Sequence, residues 1–162
     1  YVVFNFRKSA HKLNIMLELS FPKYEFTLKK NDEKRFIFDE IRKKYIELTP
    51  EEWVRQNCIK FLIKEKKFKK NLISIEKKIT LNKLIKRFDI IAHDNYGKPN
   101  LLVECKAPNI IINQKSFDQI IGYNKVIDAK YLMLTNGIIH YYCRTNKIDG
   151  KINFLKEIPN YK

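Results

Sequence analysis

Two apolar runs joined by a polar turn set the strongest constraint on how this chain can fold. The segments Leu84–His93 and Leu101–Lys106 have the composition of β-strands, and the connector Asp94–Asn100 consists of residues that favour turns. The two strands should therefore pair as an antiparallel hairpin. A symmetric turn centred on Tyr96 and Gly97 then fixes which residues of the two strands lie opposite each other.

This register predicts a cluster of three charged side chains. It places Asp89 directly opposite Glu104, and opposed residues share one face of the sheet with Cβ atoms about 4.5–5.5 Å apart. Lys106 lies two residues beyond Glu104 and points to the same face. Two carboxylates so close repel each other, and a divalent cation between them removes the repulsion. The cluster predicts a Mg²⁺ site, with Mn²⁺ as a substitute, that activates water for attack on a phosphodiester. Lys106 would orient or deprotonate that water, or pair with the phosphate.

The same residues also fit a plain surface of a structural protein. Glu-x-Lys recurs at Glu65–Lys67 and Glu76–Lys78 in this lysine-rich chain, so the short motif alone carries little weight. Only the copy at 104–106 follows an apolar strand and faces an acid on the neighbouring strand. The alternative is a solvated, salt-bridged sheet face, which would gain no stability from Mg²⁺ or Mn²⁺.

The segment before the hairpin predicts an amphipathic helix. Thr49 is a suitable N-cap, Pro50 fits the first helical position, and Glu52 completes a capping box. We expect the helix to run from Pro50 to about Lys67, because apolar residues recur at helical spacing. This stripe consists of Val54, Cys58, Phe61 and Leu62.

The remaining segments predict further strands and a second helix. We expect strands at 24–29, 35–38, 72–81, 130–135 and 138–144, a helix at 112–128, and a peripheral tail at 152–162. Asn136-Gly137 is a strong hairpin signal between the last two strands. The order of helix, three strands, helix and two strands predicts an α/β fold. Its central mixed β-sheet would be flanked by helices in two or three layers.

Length and cysteine content bound the organisation of the chain. Its 162 residues suit a single domain. We expect this domain at 16–162, with a core at about 45–145, and we expect residues 1–15 to be an upstream or vector-derived extension with Met16 as the native start. No apolar run is long enough for a membrane helix. Three cysteines without a CxxC pair indicate buried thiols and a reducing, cytoplasmic location.

The charge of the chain suits a polyanionic partner. The formal net charge is +15 and the pI is about 9.7, which is typical of proteins that bind nucleic acids. Lysine far outnumbers arginine, however, and isoleucine and asparagine are abundant. An AT-rich genome would produce the same bias, so the charge permits DNA binding without requiring it.

Five ordered motifs resemble one known family. They are Thr49–Gln56, Arg87–Asp89, Val103–Pro108, Gln119–Tyr123 and Leu134–Gly137. In this order they resemble the N-terminal nuclease domain of type I restriction enzyme R subunits, most closely its branch of small standalone proteins. That branch belongs to the PD-(D/E)xK nuclease superfamily. The resemblance implies a restriction-endonuclease-like core and a metal-dependent DNA endonuclease.

The resemblance also implies roles for particular residues. The metal-binding acids of the family fall on Asp89 and Glu104, and its catalytic lysine falls on Lys106. Its Gln-xxx-Tyr motif falls on Gln119 and Tyr123, one helical turn apart, where it would support the site or hold DNA. The first helix of the superfamily often adds one more acid. Glu51 shares the face of the apolar stripe and is our candidate for that metal ligand, whereas Glu52 should point away as the capping acid.

Departures from the family pattern leave other functions open. Phe88 replaces the superfamily's proline before the first acid. No Walker motif is present, so we expect no ATP site in this chain. DNA is the expected partner, together with a separate motor or specificity subunit, and a homodimer is compatible with this size of nuclease. The alternatives are a catalytically silent DNA- or partner-binding module of the same fold, and a nuclease acting on RNA or on branched or damaged DNA.

Overall fold

The architecture was obtained as a computed structural model that describes residues 17–76, 78–81, 84–146 and 151–161. The predicted extension at 1–15 and the predicted start at Met16 lie outside the described residues. The helices are α1 (Pro50–Lys64) and α2 (Gln114–Ile127), and a short 3-10 helix spans Lys70–Leu72. The strands are β1 (Leu28–Asn31), β2 (Lys34–Asp39), β3 (Lys44–Glu47), β4 (Ile73–Ile75), β5 (Lys78–Leu81), β6 (Leu84–Arg87), β7 (Ile90–His93), β8 (Pro99–Cys105), β9 (Tyr131–Thr135), β10 (His140–Thr145) and β11 (Ile152–Leu155).

A six-stranded mixed sheet forms the centre of the fold. Its strand order is β11-β10-β9-β8-β7-β4, and β8 and β9 are the parallel pair within it. A parallel pair needs a long crossover connection, and α2 supplies it between β8 and β9. The remaining pairs of this sheet are antiparallel. The predicted α/β class with a central mixed sheet is therefore confirmed.

The two helices lie on opposite faces of this sheet. Alternate residues of β8 divide between two apolar clusters, with Val103 in the cluster that includes α1 and Leu102 in the cluster that includes α2. Successive side chains of a strand point to opposite faces, so the two clusters are the two sides of one sheet. The layers are thus helix, sheet and helix, which settles the choice between two and three layers.

The first helix begins where the sequence predicts and ends earlier. The Thr49 side chain accepts a hydrogen bond from the Glu52 N–H, Pro50 opens the helix, and Val54, Cys58 and Leu62 are fully buried. The predicted end at Lys67 is wrong. Lys67 has a φ of 63°, which stops a right-handed helix, and the following Phe68 N–H turns back to the Leu62 carbonyl.

Each of the two long predicted strands is broken into two. The segment 72–81 forms β4 and β5, and the segment 84–93 forms β6 and β7. β5 and β6 pair with each other in a separate two-stranded sheet. The break occurs where Glu76 takes a φ of 49° and its N–H bonds to the Asp89 carbonyl. The apolar pattern continues through this bend, so the sequence gives no sign of it.

The predictions for both ends of the chain need correction. The predicted strand at 35–38 is confirmed as part of β2, whereas the predicted strand at 24–29 is displaced to β1, and β3 completes a three-stranded sheet that was not predicted. The predicted peripheral tail is wrong, because β11 pairs with β10 and Ile158 is fully buried. A short strand at a sheet edge shows little periodicity of its own, and its pairing depends on β10.

Two further features concern the cysteines and the lengths of the helices. Cys58, Cys105 and Cys143 are free and buried, as predicted. In the part of the chain that the structure describes, neither helix is long and apolar enough to cross a membrane.

Two glycines offer a matched test of the hairpin that follows β9. Gly137 has a φ of 83°, and a Cβ there would lie 2.7 Å from Leu19 Cδ2 and 3.0 Å from Val54 Cγ2. Gly97 has a φ of 76° with no atom within 4 Å of such a Cβ. We expect Gly97→Ala to cost about 1 kcal/mol from backbone strain alone. Gly137→Ala should cost about 2–4 kcal/mol, because crowding adds to that strain. Urea unfolding of both variants measures the difference, and equal losses would contradict the predicted crowding.

Candidate active site

The predicted register between β7 and β8 is confirmed from Ile90 to Ala92, whereas the symmetric turn that predicted it is wrong, because the pairing shifts by one residue between Ala92 and His93. Ile90 pairs with Val103 and Ile91 with Leu102, and the same alignment continued by one residue sets Asp89 against Glu104. Asp89 occupies the bend before β7, and Glu104 is the penultimate residue of β8. Both side chains are buried, so they are not part of a solvated sheet face.

The Asp89 carboxylate is held on both of its oxygens. Oδ2 accepts a hydrogen bond from the Cys105 N–H at 2.6 Å, and Oδ1 accepts one from Arg55 Nη2 at 2.8 Å. Arg55 comes from α1 and is itself only 4% exposed. Sequence reasoning did not single out Arg55. The signal that could have identified Arg55 as a site residue is its position within the motif Thr49–Gln56.

The Glu104 carboxylate connects the sheet to α2. Its Oε1 accepts hydrogen bonds from Lys106 Nζ at 2.7 Å and from Gln119 Nε2 at 2.6 Å. Lys106 Nζ also donates to Gln119 Oε1 at 3.1 Å, and Gln119 Nε2 donates to the Tyr123 hydroxyl at 3.1 Å. The structure therefore brings four of the predicted site residues into one hydrogen-bonded group.

Burial and neighbouring charges shift the pKa values of Glu104 and Lys106. Burial, followed by the nearby Asp89 carboxylate, raises the pKa of Glu104 to about 7, although Lys106 opposes the shift. Burial lowers the pKa of Lys106, but its hydrogen bond to Glu104 and the charges of Glu104, Asp89 and Glu51 outweigh this and raise the pKa above its ordinary value. Lys106 is therefore a cation at neutral pH.

The two acids in the first turn of α1 are arranged differently from the prediction. Glu52 was expected to point away as a capping acid, and this is wrong because Glu52 is buried and its carboxylate contacts Arg42 and Arg55. Glu51 has a side chain that is 45% exposed and lies 2.9 Å from Arg55 Nη2. Arg42 reaches this point from the turn after β2, and no local pattern could have indicated that contact.

These contacts belong to one continuous network of charges. Arg42 also contacts Asp39 and Glu76, and Arg87 lies 3.2 Å from Glu76. Among the described residues, the ion pairs of this network join five carboxylates to three arginines, and Lys106 and Glu104 form a further ion pair. The five carboxylates are those of Asp39, Glu51, Glu52, Glu76 and Asp89, and the arginines are Arg42, Arg55 and Arg87.

The donor set fits one hard divalent cation held by few protein ligands. Mg²⁺ usually keeps several waters and takes one or two carboxylates from the protein. Both described hydrogen bonds to Glu104 fall on Oε1, so Oε2 is the oxygen available to a cation. Among the described residues, no three His, Cys, Asp or Glu side chains stand in a geometry that could hold a metal. The predicted metal ligands Asp89, Glu104 and Glu51 therefore do not form such a group, and Glu51 is bonded to Arg55.

One family of restriction enzyme domains matches the sequence of this chain. The family model described as type I restriction enzyme R protein N terminus matches residues 50–159. This is more than half of the chain, so the chain belongs to that family. The match begins at α1 and includes all six strands of the central sheet, whereas β1–β3 lie outside it.

Other comparisons give a weaker likeness. A solved fragment described as the HsdR subunit of a type I restriction enzyme from Vibrio vulnificus YJ016 is 22% identical, with a TM-score of 0.46. The alignment covers 60% of this chain and 21% of that one, so the present chain spans about a fifth of the fragment. The comparison with curated proteins gave no match.

The raised pKa of Glu104 predicts a measurable dependence of stability on pH. The folded value of about 7 lies above the ordinary value of 4.5, so between these pH values the folded state binds more protons than the unfolded state. Stability must then fall as pH rises through this window, by on the order of 3 kcal/mol from this group. We expect Glu104→Gln to remove that part of the slope and to be more stable than the unmodified protein at pH 8.

Urea unfolding at pH 4.5, 6 and 8 with EDTA present tests this prediction. The groups facing Glu104 are Asp89, Lys106 and Glu51, and they remain in the variant, so the difference between the two proteins isolates Glu104. If the free energy of unfolding changed with pH in the same way in both proteins, Glu104 would have an ordinary pKa.

Proposed function

We propose that this chain is a metal-dependent DNA endonuclease domain of the PD-(D/E)xK type, which hydrolyses phosphodiester bonds. The observation that carries the proposal is the convergence of buried Asp89 and Glu104 with Lys106 at one end of β7 and β8. Family membership supports the same class of activity. Burying two acids together is costly unless a cation compensates them.

Asp89 and Glu104 would hold the ion, which is Mg²⁺ in this proposal with Mn²⁺ as a substitute. When bound, the cation supplies a Lewis acid for the phosphate and a water of lowered pKa. Glu51 is proposed as a third acid of the site. Its charge acts on both Glu104 and Lys106, and its partial exposure leaves it accessible from solvent.

Lys106 would act as a cation toward the phosphate. Its raised pKa keeps the ammonium protonated, so it can orient water and stabilise developing phosphate charge, but it is a poor general base. Its hydrogen bonds to Glu104 and Gln119 fix the ammonium beside the proposed metal ligand. Of the roles that the sequence left open for Lys106, charge stabilisation and orientation are therefore favoured over deprotonation.

Gln119 and Tyr123 would support the site from α2. The amide of Gln119 holds Glu104 and Lys106 together, and the Tyr123 hydroxyl accepts its second hydrogen. Tyr123 is buried against Ile120 and Ile127 in the α2 layer. These contacts favour a supporting role for the pair over direct contact with DNA.

One observation favours a second candidate function, a catalytically silent DNA- or partner-binding module. Both oxygens of Asp89 are engaged, by Arg55 and by Cys105, so a cation would share a carboxylate oxygen with one of these donors instead of having an oxygen to itself. The proposed partners are the same for both functions. They are DNA, other subunits of a restriction system such as a motor or specificity subunit, and a second copy of the chain, all in the cytoplasm.

Cleavage of supercoiled plasmid separates the two candidates. We expect nicking with Mg²⁺ or Mn²⁺ and none with EDTA, and a loss of at least about 100-fold in Asp89→Asn and Lys106→Ala because each removes charge stabilisation at the reacting phosphate. Lys98→Ala is the matched control, since Lys98 is an exposed lysine in the turn at the far end of β8. If all four proteins bind DNA and none cuts it, the silent module is the better interpretation.

Metal binding can be measured without DNA, through its effect on the melting temperature. We expect 5 mM Mg²⁺ or Mn²⁺ to raise the melting temperature by several degrees at pH 8, since ligands that bind only the folded state stabilise it. The gain should be smaller at pH 5.5, where Glu104 with its pKa of about 7 is protonated. Asp89→Asn should abolish the gain. A gain of equal size in that variant would place the ion elsewhere.

A further inference from the structure

The orientation of Asp89 depends on Arg55. One oxygen of Asp89 is fixed by the backbone of β8, and the other is fixed by the Arg55 guanidinium. The bend that carries Asp89 lies outside any regular strand. A ligand must be held close to its working geometry before it binds an ion, and outer partners of the ligand supply that restraint.

Arg55 is in turn held by an acid that it shares with a second arginine. Glu52 Oε2 accepts from Arg55 Nη1, and Glu52 Oε1 accepts from Arg42 Nη2. Each oxygen of this buried carboxylate therefore takes one guanidinium. Glu52 Oε1 also accepts a hydrogen bond from Gln56 Nε2 at 2.8 Å. Moving Arg42 therefore removes one of the two donors to that oxygen and loosens Glu52, and through Glu52 it loosens Arg55.

Arg42 is fixed by its own turn in the N-terminal sheet of β1–β3. Asp39 Oδ1 accepts from the Arg42 N–H at 2.7 Å, and Asp39 Oδ2 accepts from Arg42 Nε at 2.7 Å and from Gln56 Nε2 at 2.7 Å. Asp39 is fully buried. The arginine thus leaves the turn after β2 in a single defined direction, toward α1.

We propose that Arg42 and Arg55 are positioning residues that hold Asp89 in its metal-binding orientation, so that the N-terminal sheet is a working part of the site. This inference rests on the proposed metal-dependent function. It extends the site beyond residues 50–159, the region that the family model matches. Asp39, Arg42, Glu52 and Arg55 form the chain of contacts that leads to Asp89.

The direction in which Arg42→Gln changes the affinity for Mn²⁺ distinguishes a positioning role from a purely electrostatic one. Arg42→Gln removes a positive charge near the site, so electrostatics alone would tighten binding of a cation. Positioning predicts the opposite, a rise of roughly 10-fold in the Mn²⁺ Kd, which is the size expected when an outer partner of a metal ligand is lost. Isothermal titration with Mn²⁺ measures this Kd, and kcat for plasmid nicking should fall while KM is unchanged.

A double variant keeps the proposal testable if Arg42→Gln alone does not fold. Arg42→Gln combined with Glu52→Gln leaves the formal charge of the network unchanged, and the buried Asp39 carboxylate keeps its hydrogen bonds from Gln56 Nε2 and from the N–H groups of residues 41 and 42. Weaker Mn²⁺ binding by the double variant would then reflect position alone. Lys60→Ala is the matched control, since Lys60 joins α1 to Glu40 of the same N-terminal region without touching the chain of contacts.

Amide exchange gives a readout that needs no metal. The Cys105 N–H donates to Asp89 Oδ2, so its hydrogen exchange should quicken by roughly 10-fold or more in Arg42→Gln if the carboxylate moves. An unchanged Cys105 amide, tighter Mn²⁺ binding, or an equal loss in Lys60→Ala would each overturn the positioning role. Failure of the unmodified protein to bind Mn²⁺ or to cut DNA would instead count against the proposed function, while the amide would still test the positioning of Asp89.

Discussion

The pairing of β7 with β8 is the constraint on which the rest of the candidate site depends. It fixes Asp89 against Glu104 before any helix is considered. Because side chains alternate along a strand, the same register sends Val103 to the α1 layer and Leu102 to the α2 layer. A slip of one residue would exchange the two faces and separate the acids. The apolar packing that stabilises the domain therefore also sets the geometry of its charged residues.

The parallel pairing of β8 with β9 provides the second half of the site. A parallel connection must cross the sheet, and α2 makes that crossing after a loop that begins with Lys106. The apolar face of α2 packs on the sheet through Ile120 and Ile127. The same helix places Gln119 within hydrogen-bonding distance of Glu104 and Lys106. The topology of the sheet thus determines which polar groups meet the acids.

Buried ion pairs connect the candidate site to the segments around it. Removing one partner from a buried ion pair typically costs about 3–5 kcal/mol, and here each acid that faces inward has a basic or amide partner. Arg55 is central, because it contacts Glu51, Glu52 and Asp89. Such a network is stable only when its members are placed together, which makes α1, β7 and the turn after β2 mutually dependent.

The local patterns that the sequence predicts well are those set by short-range rules. The cap of Thr49 and the stripe of Val54, Cys58 and Leu62 are present as predicted. The hairpin register is also correct from Ile90 to Ala92, although the pairing shifts before the turn. The split strands at Glu76 and Asp89 and the pairing of β11 were missed. Both arise from contacts between distant segments that leave no periodic signal.

By itself, the sequence determined the class of fold, the hairpin that opposes Asp89 and Glu104, and the helical spacing of Gln119 and Tyr123. Each of these follows from backbone geometry over a few residues. Only the tertiary structure decided that Glu52 faces inward and that Arg42 and Arg55 link the N-terminal sheet to Asp89. The physical reason is that a buried ion network is selected by which charges meet in space, and segments far apart in the chain supply them.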